Sequence, residues 1–289
     1  MISIYNLPLF RPPSEANSII VQATYGCSHN RCTFCGMYRT KRFRVREVDE
    51  VRRDLEILRN FHSSKKLFIA DGNALCIETE KLIQVMKLAK SIFPEVERIS
   101  IYATPMDILE KDDDELKALR NEGLELIYLG LESGDDEILE EIRKGCSSDE
   151  MIEACRKAMS SGIEMSITAI TGLGGREKSY EHAKNTARVL NEIKPKYTAF
   201  LSLIPVEGTP VYLKIKRGIF KPLSQIEHLR ELRWIVEDLN YRTVFRANHA
   251  SNYLPLKAEL PDDRDAILKL IDYAISHPEI LRPEYLRAL

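Results

Sequence analysis

Tyr25-Gly26-Cys27-Ser28-His29-Asn30-Arg31-Cys32-Thr33-Phe34-Cys35-Gly36-Met37-Tyr38 carries three of the six cysteines in the chain. The three fall within nine residues, directly after the apolar run Ser18–Ala23, which reads as a strand. In barrels of alternating strands and helices, active sites lie at the C-terminal ends of the strands. A loop leaving such an end can wrap three thiolates around one metal centre. The number three matters. Structural zinc takes four protein ligands and is closed, whereas a [4Fe–4S] cluster on three cysteines leaves one iron open. His29 is the only local candidate for a fourth ligand, its other role being to face solvent or cap the loop. From spacing alone, three readings stay open: an open or redox cluster, a zinc site, and unrelated core cysteines.

Outward from the loop, short apolar runs recur: Lys66–Ala70, Arg98–Ala103, Leu124–Leu131, Ile163–Ile170 and Tyr197–Ile204. Their length and their content of Ile, Leu, Val, Phe and Tyr suit buried parallel strands. Between them lie helical patterns. Val51, Leu55 and Leu58 share one face, as do Ile138, Leu139 and Ile142, and later Leu229, Leu232, Ile235 and Leu239. Asp135 or Asp136 is placed to cap the helix before Ile138, and Gly123 and Gly162 to end helices in the left-handed conformation. Alternating strands and helices predict a parallel sheet with right-handed crossovers. Such units suit an open doubly wound sheet or an incomplete barrel, and spacing does not choose. Further on, Tyr241–Ala247 reads as one more strand and Asp262–Ser276 as a helix. These give a small C-terminal α/β extension.

Composition narrows the class. Hydrophobic residues make up 44% of the 289, ample for a large core. Lys plus Arg number 42 and Asp plus Glu 44, a formal net charge of −2, which argues against a general nucleic-acid binder. No apolar run approaches the length of a membrane helix, and the first residues lack the basic segment of a signal peptide. The chain therefore reads as soluble and cytoplasmic, where clustered cysteines bind metal or do chemistry rather than form disulfides.

With Phe34 just before its last cysteine, the Cys27-x4-Cys32-x2-Cys35 motif resembles the signature of the radical S-adenosylmethionine (SAM) superfamily. That signature is usually C-x3-C-x2-C, so this chain has one extra residue in the first gap. Four other segments resemble the superfamily in order and position. Asp71-Gly72-Asn73 stands where a Gly-Gly-Glu-like turn holds the amino group of SAM, although it has one glycine and no glutamate. Its plainer reading is an ordinary turn. Gly130-Leu131-Glu132-Ser133-Gly134 is similar to a Gly-x-(Glu/Gln)-Ser segment of methylthiotransferases and of oxygen-independent coproporphyrinogen oxidase, which contacts the SAM ribose or methionine. The resemblance sets Lys144, twelve residues after Glu132, against the SAM carboxylate, as a point charge without the fork of an arginine. The alternative is that Glu132 and Ser133 only cap the next helix. Thr171-Gly172-Leu173-Gly174-Gly175 resembles a Gly-Leu-Pro-Gly turn, with Thr168 where the oxidase has an acid facing the ribose. Ile204 lies in the region that supports the adenine, its other reading being plain core.

The resemblance implies a partial TIM-type (βα)6 barrel over residues 18–240, an N-terminal extension over 1–17, and a C-terminal extension over 241–289 packed on the barrel. It implies a [4Fe–4S] cluster on Cys27, Cys32 and Cys35, SAM on the open iron, and an electron donor such as flavodoxin or ferredoxin. It also implies a 5′-deoxyadenosyl radical that takes hydrogen from a small-molecule substrate. The tail Phe245–Pro255 resembles uncharacterised members of the superfamily. Its Asn248, His249, Asn252 and Tyr253 either satisfy loop backbone groups or line the substrate pocket, with His249 as the acid–base candidate. Arg39, Lys41, Arg42, Arg44 and Arg46 form a solvated basic face or a site for an anionic substrate. Cys76, Cys146 and Cys155 read as buried structural thiols, with a hydrogen-atom donor or a second-cluster ligand as alternatives. Two other functions stand beside the small-molecule one: RNA or protein modification by the same chemistry, and a non-enzymatic iron–sulfur or zinc protein.

Overall fold

The computed structural model describes residues 4–288. Its strands are β1 (Ile19–Gln22), β2 (Thr24–Tyr25), β3 (Arg44–Val45), β4 (Lys66–Ala70), β5 (Arg98–Ala103), β6 (Leu124–Glu132), β7 (Glu164–Thr171), β8 (Tyr197–Ser202), β9 (Thr243–Ala247) and β10 (Leu256–Leu260). Eight form a mostly parallel sheet in the order β1-β4-β5-β6-β7-β8-β9-β10, while β2 and β3 make a separate antiparallel ribbon. This is the α/β class expected, with the sheet of a partial barrel. All six apolar runs form strands, and the run at 241–247 gives β9, parallel to β8. The residues after 240 therefore continue the sheet. The edge strand β10, antiparallel to β9, was not anticipated. Its five residues alternate buried and exposed, a weak apolar signal.

The chain divides into two compact units. The first comprises the described residues up to Asn30, Met37–Leu129 and Glu153–Met165; the second comprises Arg31–Gly36, Gly130–Ile152 and the described residues from Ser166. In the first, the helix Val48–Arg59 buries Val51, Leu55 and Leu58, the face its spacing predicts. Leu67, Ile69, Ile99 and Ile101 are fully buried on their strands. Phe68, Tyr102 and Tyr128, from three successive strands, meet edge to face. The N-terminal segment is fastened here: Asn6 and Gln22 exchange two hydrogen bonds, and the buried Glu15 carboxylate accepts from Arg98 and from the Tyr128 hydroxyl, each at 2.6 Å.

In the second unit, alternate residues divide the strands into two faces. Thr198, Phe200 and Ser202 of β8 are buried, while Tyr197, Ala199 and Leu201 are half-buried on the other side. Phe200 and Phe245 pack ring to ring at 5.6 Å. The helix Arg264–Ser276 buries Ile267, Ile271 and Ala274, while Leu270 is exposed. Phe245 is fully buried. Its replacement by alanine is expected to cost about 3–5 kcal/mol in urea unfolding, and a loss below ~1 kcal/mol would show this face to be poorly packed.

Candidate functional site

In the first unit the Asp71-Gly72-Asn73 turn leaves β4 and holds the start of the cysteine loop. Asp71 accepts a hydrogen bond from the Gly26 amide at 3.1 Å and pairs with Lys41 at 2.8 Å. Burial raises its carboxyl above the ordinary range, opposed by the Lys41 hydrogen bond. Asn73 accepts from the Ser28 amide at 2.9 Å and donates to the Ser28 hydroxyl at 2.7 Å and to the Asp107 carboxylate at 3.0 Å. A Cβ on Gly72 would stand 2.6 Å from the Cβ of Cys27, so only glycine lets the turn reach the loop. Cys76 lies nearby. Burial, reinforced by Asp107, pushes its thiol up to about 12, which leaves it an inert thiol.

In the second unit the rest of the loop is pinned from two sides. The Thr33 amide donates to the Ile142 carbonyl at 2.8 Å, and the Val211 amide donates to the Thr33 carbonyl at 3.2 Å. Phe34 packs on the cluster of Ile138, Leu139, Ile142, Leu173, Leu203 and Val211. The Cys35 amide closes a tight turn on the Cys32 carbonyl at 3.2 Å. Lys144 and Glu132 form an ion pair at 3.0 Å with side chains only 9% and 13% exposed. Burial works against the charge on Lys144. Glu132, with smaller help from Cys32 and Cys146, more than restores it, so the lysine stays protonated. Glu132 adopts φ +63°, uncommon outside glycine. A Cβ on Gly130 would stand 2.0 Å from the Glu132 carboxylate, so Gly130 makes the space for this pair. Ser133 is buried and accepts from the Asp135 amide at 3.0 Å; Asp135, not Asp136, caps the helix by accepting from Ile138. Burial raises the Cys146 thiol to about 11 despite the neighbouring lysine. Cys155, in the first unit, is fully buried.

The Thr171–Gly175 turn is held from behind by a network that the sequence reading did not single out. Glu231 accepts from the Gly172 amide at 2.7 Å, and also from Ser179; its Oε1 lies 2.9 Å from His182 Nδ1. His228 Nδ1 lies 2.8 Å from the Thr171 hydroxyl. Gly172 has φ +90°, and a Cβ there would meet the His228 ring at 2.5 Å. Burial pushes His228 down to about 4, only partly offset by Glu231. For His182 burial also opposes charge, but the Glu231 carboxylate outweighs it and raises the pKa. The available signal was a polar pair, His228 and Glu231, set beside Leu229 and Leu232 on a buried helix face.

The remaining expected residues separate. Thr168 and Ile204 are half-buried, and Asn248 is exposed. His249 bonds locally to the Ser251 hydroxyl at 2.9 Å, and burial lowers its pKa. Asn252 is engaged with β8, accepting from the Ser202 hydroxyl at 3.0 Å and donating to the Phe200 carbonyl at 2.8 Å. Tyr253 donates to Glu284 at 2.8 Å under the Arg287 guanidinium. Asn252 is thus tied to β8 and Tyr253 to the tail. In the basic stretch, Lys41, Arg44 and Arg46 pair with Asp71, Glu50 and Asp54. Cys27, Cys32 and Cys35 are half-buried and in no disulfide, and among the described residues no three His, Cys, Asp or Glu side chains are gathered closely enough to hold a metal ion. The donor set itself, three thiols with an incomplete shell, fits a [4Fe–4S] cluster better than closed zinc.

Fold and site together define an α/β enzyme whose cysteine loop follows the first strand of its sheet. The Radical SAM superfamily profile matches residues 21–190, and the chain belongs to that superfamily, whose enzymes use a [4Fe–4S] cluster and SAM. It is 26% identical over 200 residues to the threonylcarbamoyladenosine tRNA methylthiotransferase MtaB of Rickettsia prowazekii, covering 66% of this chain and 46% of that protein. Among solved structures it is similar to the coproporphyrinogen III oxidase HemN of Escherichia coli, with TM-score 0.57 and 18% identity, over 77% of this chain and 52% of the other. Methylornithine synthase PylB gives TM-score 0.53 and 17% identity over 91% of this chain and 84% of the other. The chain thus spans about half or less of the first two relatives, and at these identities the structures share the fold alone.

The low pKa of His228 sets a pH dependence. An unfolded histidine binds its proton near 6.5, the folded one near 4, so between these values the unfolded state holds more protons. Stability is full above the upper value and falls as pH drops toward the lower, by about 2–3 kcal/mol. Urea unfolding of the wild type and of His228→Gln at both ends of this window is expected to show that loss only in the wild type. The opposite contribution of His182 is common to both proteins. Equal pH slopes would refute the assignment.

Proposed function

We propose that this radical SAM enzyme holds its cluster on Cys27, Cys32 and Cys35 and acts on a small molecule that carries an anionic group. One observation carries the site: Lys144 and Glu132 form a largely buried ion pair at 3.0 Å at the end of β6. Bound there, the [4Fe–4S] cluster and SAM would supply one-electron chemistry for removing a hydrogen atom from the substrate. The chain's own residues position and shield. Lys144 turns its charge to the SAM carboxylate, and Glu132 and Ser133, at the end of β6, offer polar contacts to its ribose or methionine. Gly72, with Asp71 and Asn73, presents backbone to its amino group. Phe34 fixes the distal half of the cysteine loop against its apolar cluster. Gly172 and Gly174 let the β7 turn approach closely, with Thr168 below them on the same strand and Ile204 beside the adenine. His249 and the exposed Asn248 are the tail residues assigned to the substrate. A flavodoxin or ferredoxin supplies the electron.

Support for a small substrate comes from the near-neutral charge balance, which lacks the basic excess of a general nucleic-acid binder. The test is anaerobic. Protein reconstituted with iron and sulfide, given dithionite and SAM, is expected to release 5′-deoxyadenosine, and Cys32→Ala to fall to background. Equal yields from the two proteins, or retention of zinc without 5′-deoxyadenosine, would overturn the reading.

A further inference from the structure

The strand register aligns four residues in one row across the second unit. Thr168 of β7 pairs with Ala199 of β8, Ala199 with Arg246 of β9, and Arg246 with Lys257 of β10. Because side chains alternate across a strand, the four share one face of the sheet. Ala169, Phe200, Phe245 and Ala258 belong to the other face and are buried. On the row's own face Thr168, Ala199 and Arg246 are half-buried and Lys257 is exposed.

Arg246 stands apart from most arginines of this unit. Arg233 and Arg242 pair with Asp272 and Asp262, while Arg282 and Arg287 donate to backbone carbonyls. Among the described residues Arg246 and Lys257 have neither a hydrogen bond nor an ion pair from their side chains. The Arg246 guanidinium is half-buried but not sealed from solvent, so the fork remains open to a ligand. Glu259 shares the face but stands opposite Val244, in the next row toward the start of β9. Arg246 is the penultimate residue of β9, which runs parallel to β8, so it lies toward the strand ends where barrels carry their chemistry.

We propose that Arg246, assisted by Lys257, is the anchor for the anionic group of the substrate, a carboxylate or a phosphate; this rests on the radical SAM reading and names its substrate class. The planar fork of arginine takes either oxyanion in two parallel hydrogen bonds. Ala199 is small and adds no bulk between Arg246 and Thr168, the position assigned to the ribose. Two strand spacings, roughly 10 Å, separate those two positions. That distance suits a small molecule with its anion on Arg246 and its reacting carbon toward the nucleoside. Ile170 and Leu201, one row nearer the strand ends on the same face, are half-buried and apolar and suit its carbon skeleton.

The test is calorimetric titration of the reconstituted full chain, without reductant, with succinate and separately with inorganic phosphate. Omitting reductant makes the readout independent of SAM cleavage, so failure here and failure of the radical reading are distinct results. One of the two anions is expected to bind and to name the group. Arg246→Gln should weaken that binding about tenfold or more, and Arg246→Lys about threefold, as loss of the fork alone. Arg242→Gln, on a surface pair, should leave it unchanged. Lys257→Gln, an exposed change that cannot disturb the core, should weaken it about twofold to fivefold and serves if Arg246→Gln does not fold. No binding of either anion at millimolar concentration, or unaltered binding in the variants of Arg246 and Lys257, overturns the proposal.

Discussion

A lysine kept charged out of water is the constraint around which the end of β6 is built. Burial alone would favour neutral Lys144. The Glu132 carboxylate reverses that preference, and their pairing requires two further features of the chain. Gly130 has no side chain where the carboxylate lies, and Glu132 turns into the left-handed region at the strand end. Strained backbone of this kind clusters at ligand sites, where surrounding structure holds it in place. Breaking such a pair by removing one partner leaves an uncompensated buried charge, so the end of β6 and the turn that carries Lys144 are tied to one electrostatic arrangement.

The β7 turn obeys a parallel logic with another charge. Glu231 reaches from a helix to the Gly172 amide, to Ser179 and to His182, so a glycine-rich turn that would otherwise be mobile is fastened by a carboxylate with several donors. Gly172 lacks a Cβ because the His228 ring fills that space. The first unit shows the same device, with the turn after β4 gripping Gly26 and Ser28 through Asp71 and Asn73. Polar side chains thus fix each of these loops through its backbone amides.

The strands were legible because each buried run is short, apolar and followed by a helix-period segment. The cysteine motif was legible because its spacing is local, and Glu132 and Lys144 stood out only through the superfamily resemblance; their ion pair with each other was not expected. What stayed hidden is non-local. Glu231 and His182 looked like polar residues of amphipathic helices, and only tertiary packing joins them to Gly172, some sixty residues from Glu231. Asn252 and Tyr253 read either as loop-satisfying or as pocket residues, because polar clusters are rare in strands and the sequence does not show their distant partners. Their partners, Ser202 and Glu284, are fifty and thirty-one residues away. Arg246 drew no notice within its strand until the register set it beside Ala199 and Lys257.

The central claim, that three thiolates leave one iron open to SAM, is tested most directly by electron paramagnetic resonance. The reconstituted protein is reduced with dithionite and measured with and without SAM. The account predicts a cluster signal whose g-values move when SAM is added, because the nucleoside takes the coordination site that no side chain fills. A cluster signal indifferent to SAM would contradict it, since the cluster would then be closed by the protein and serve another purpose.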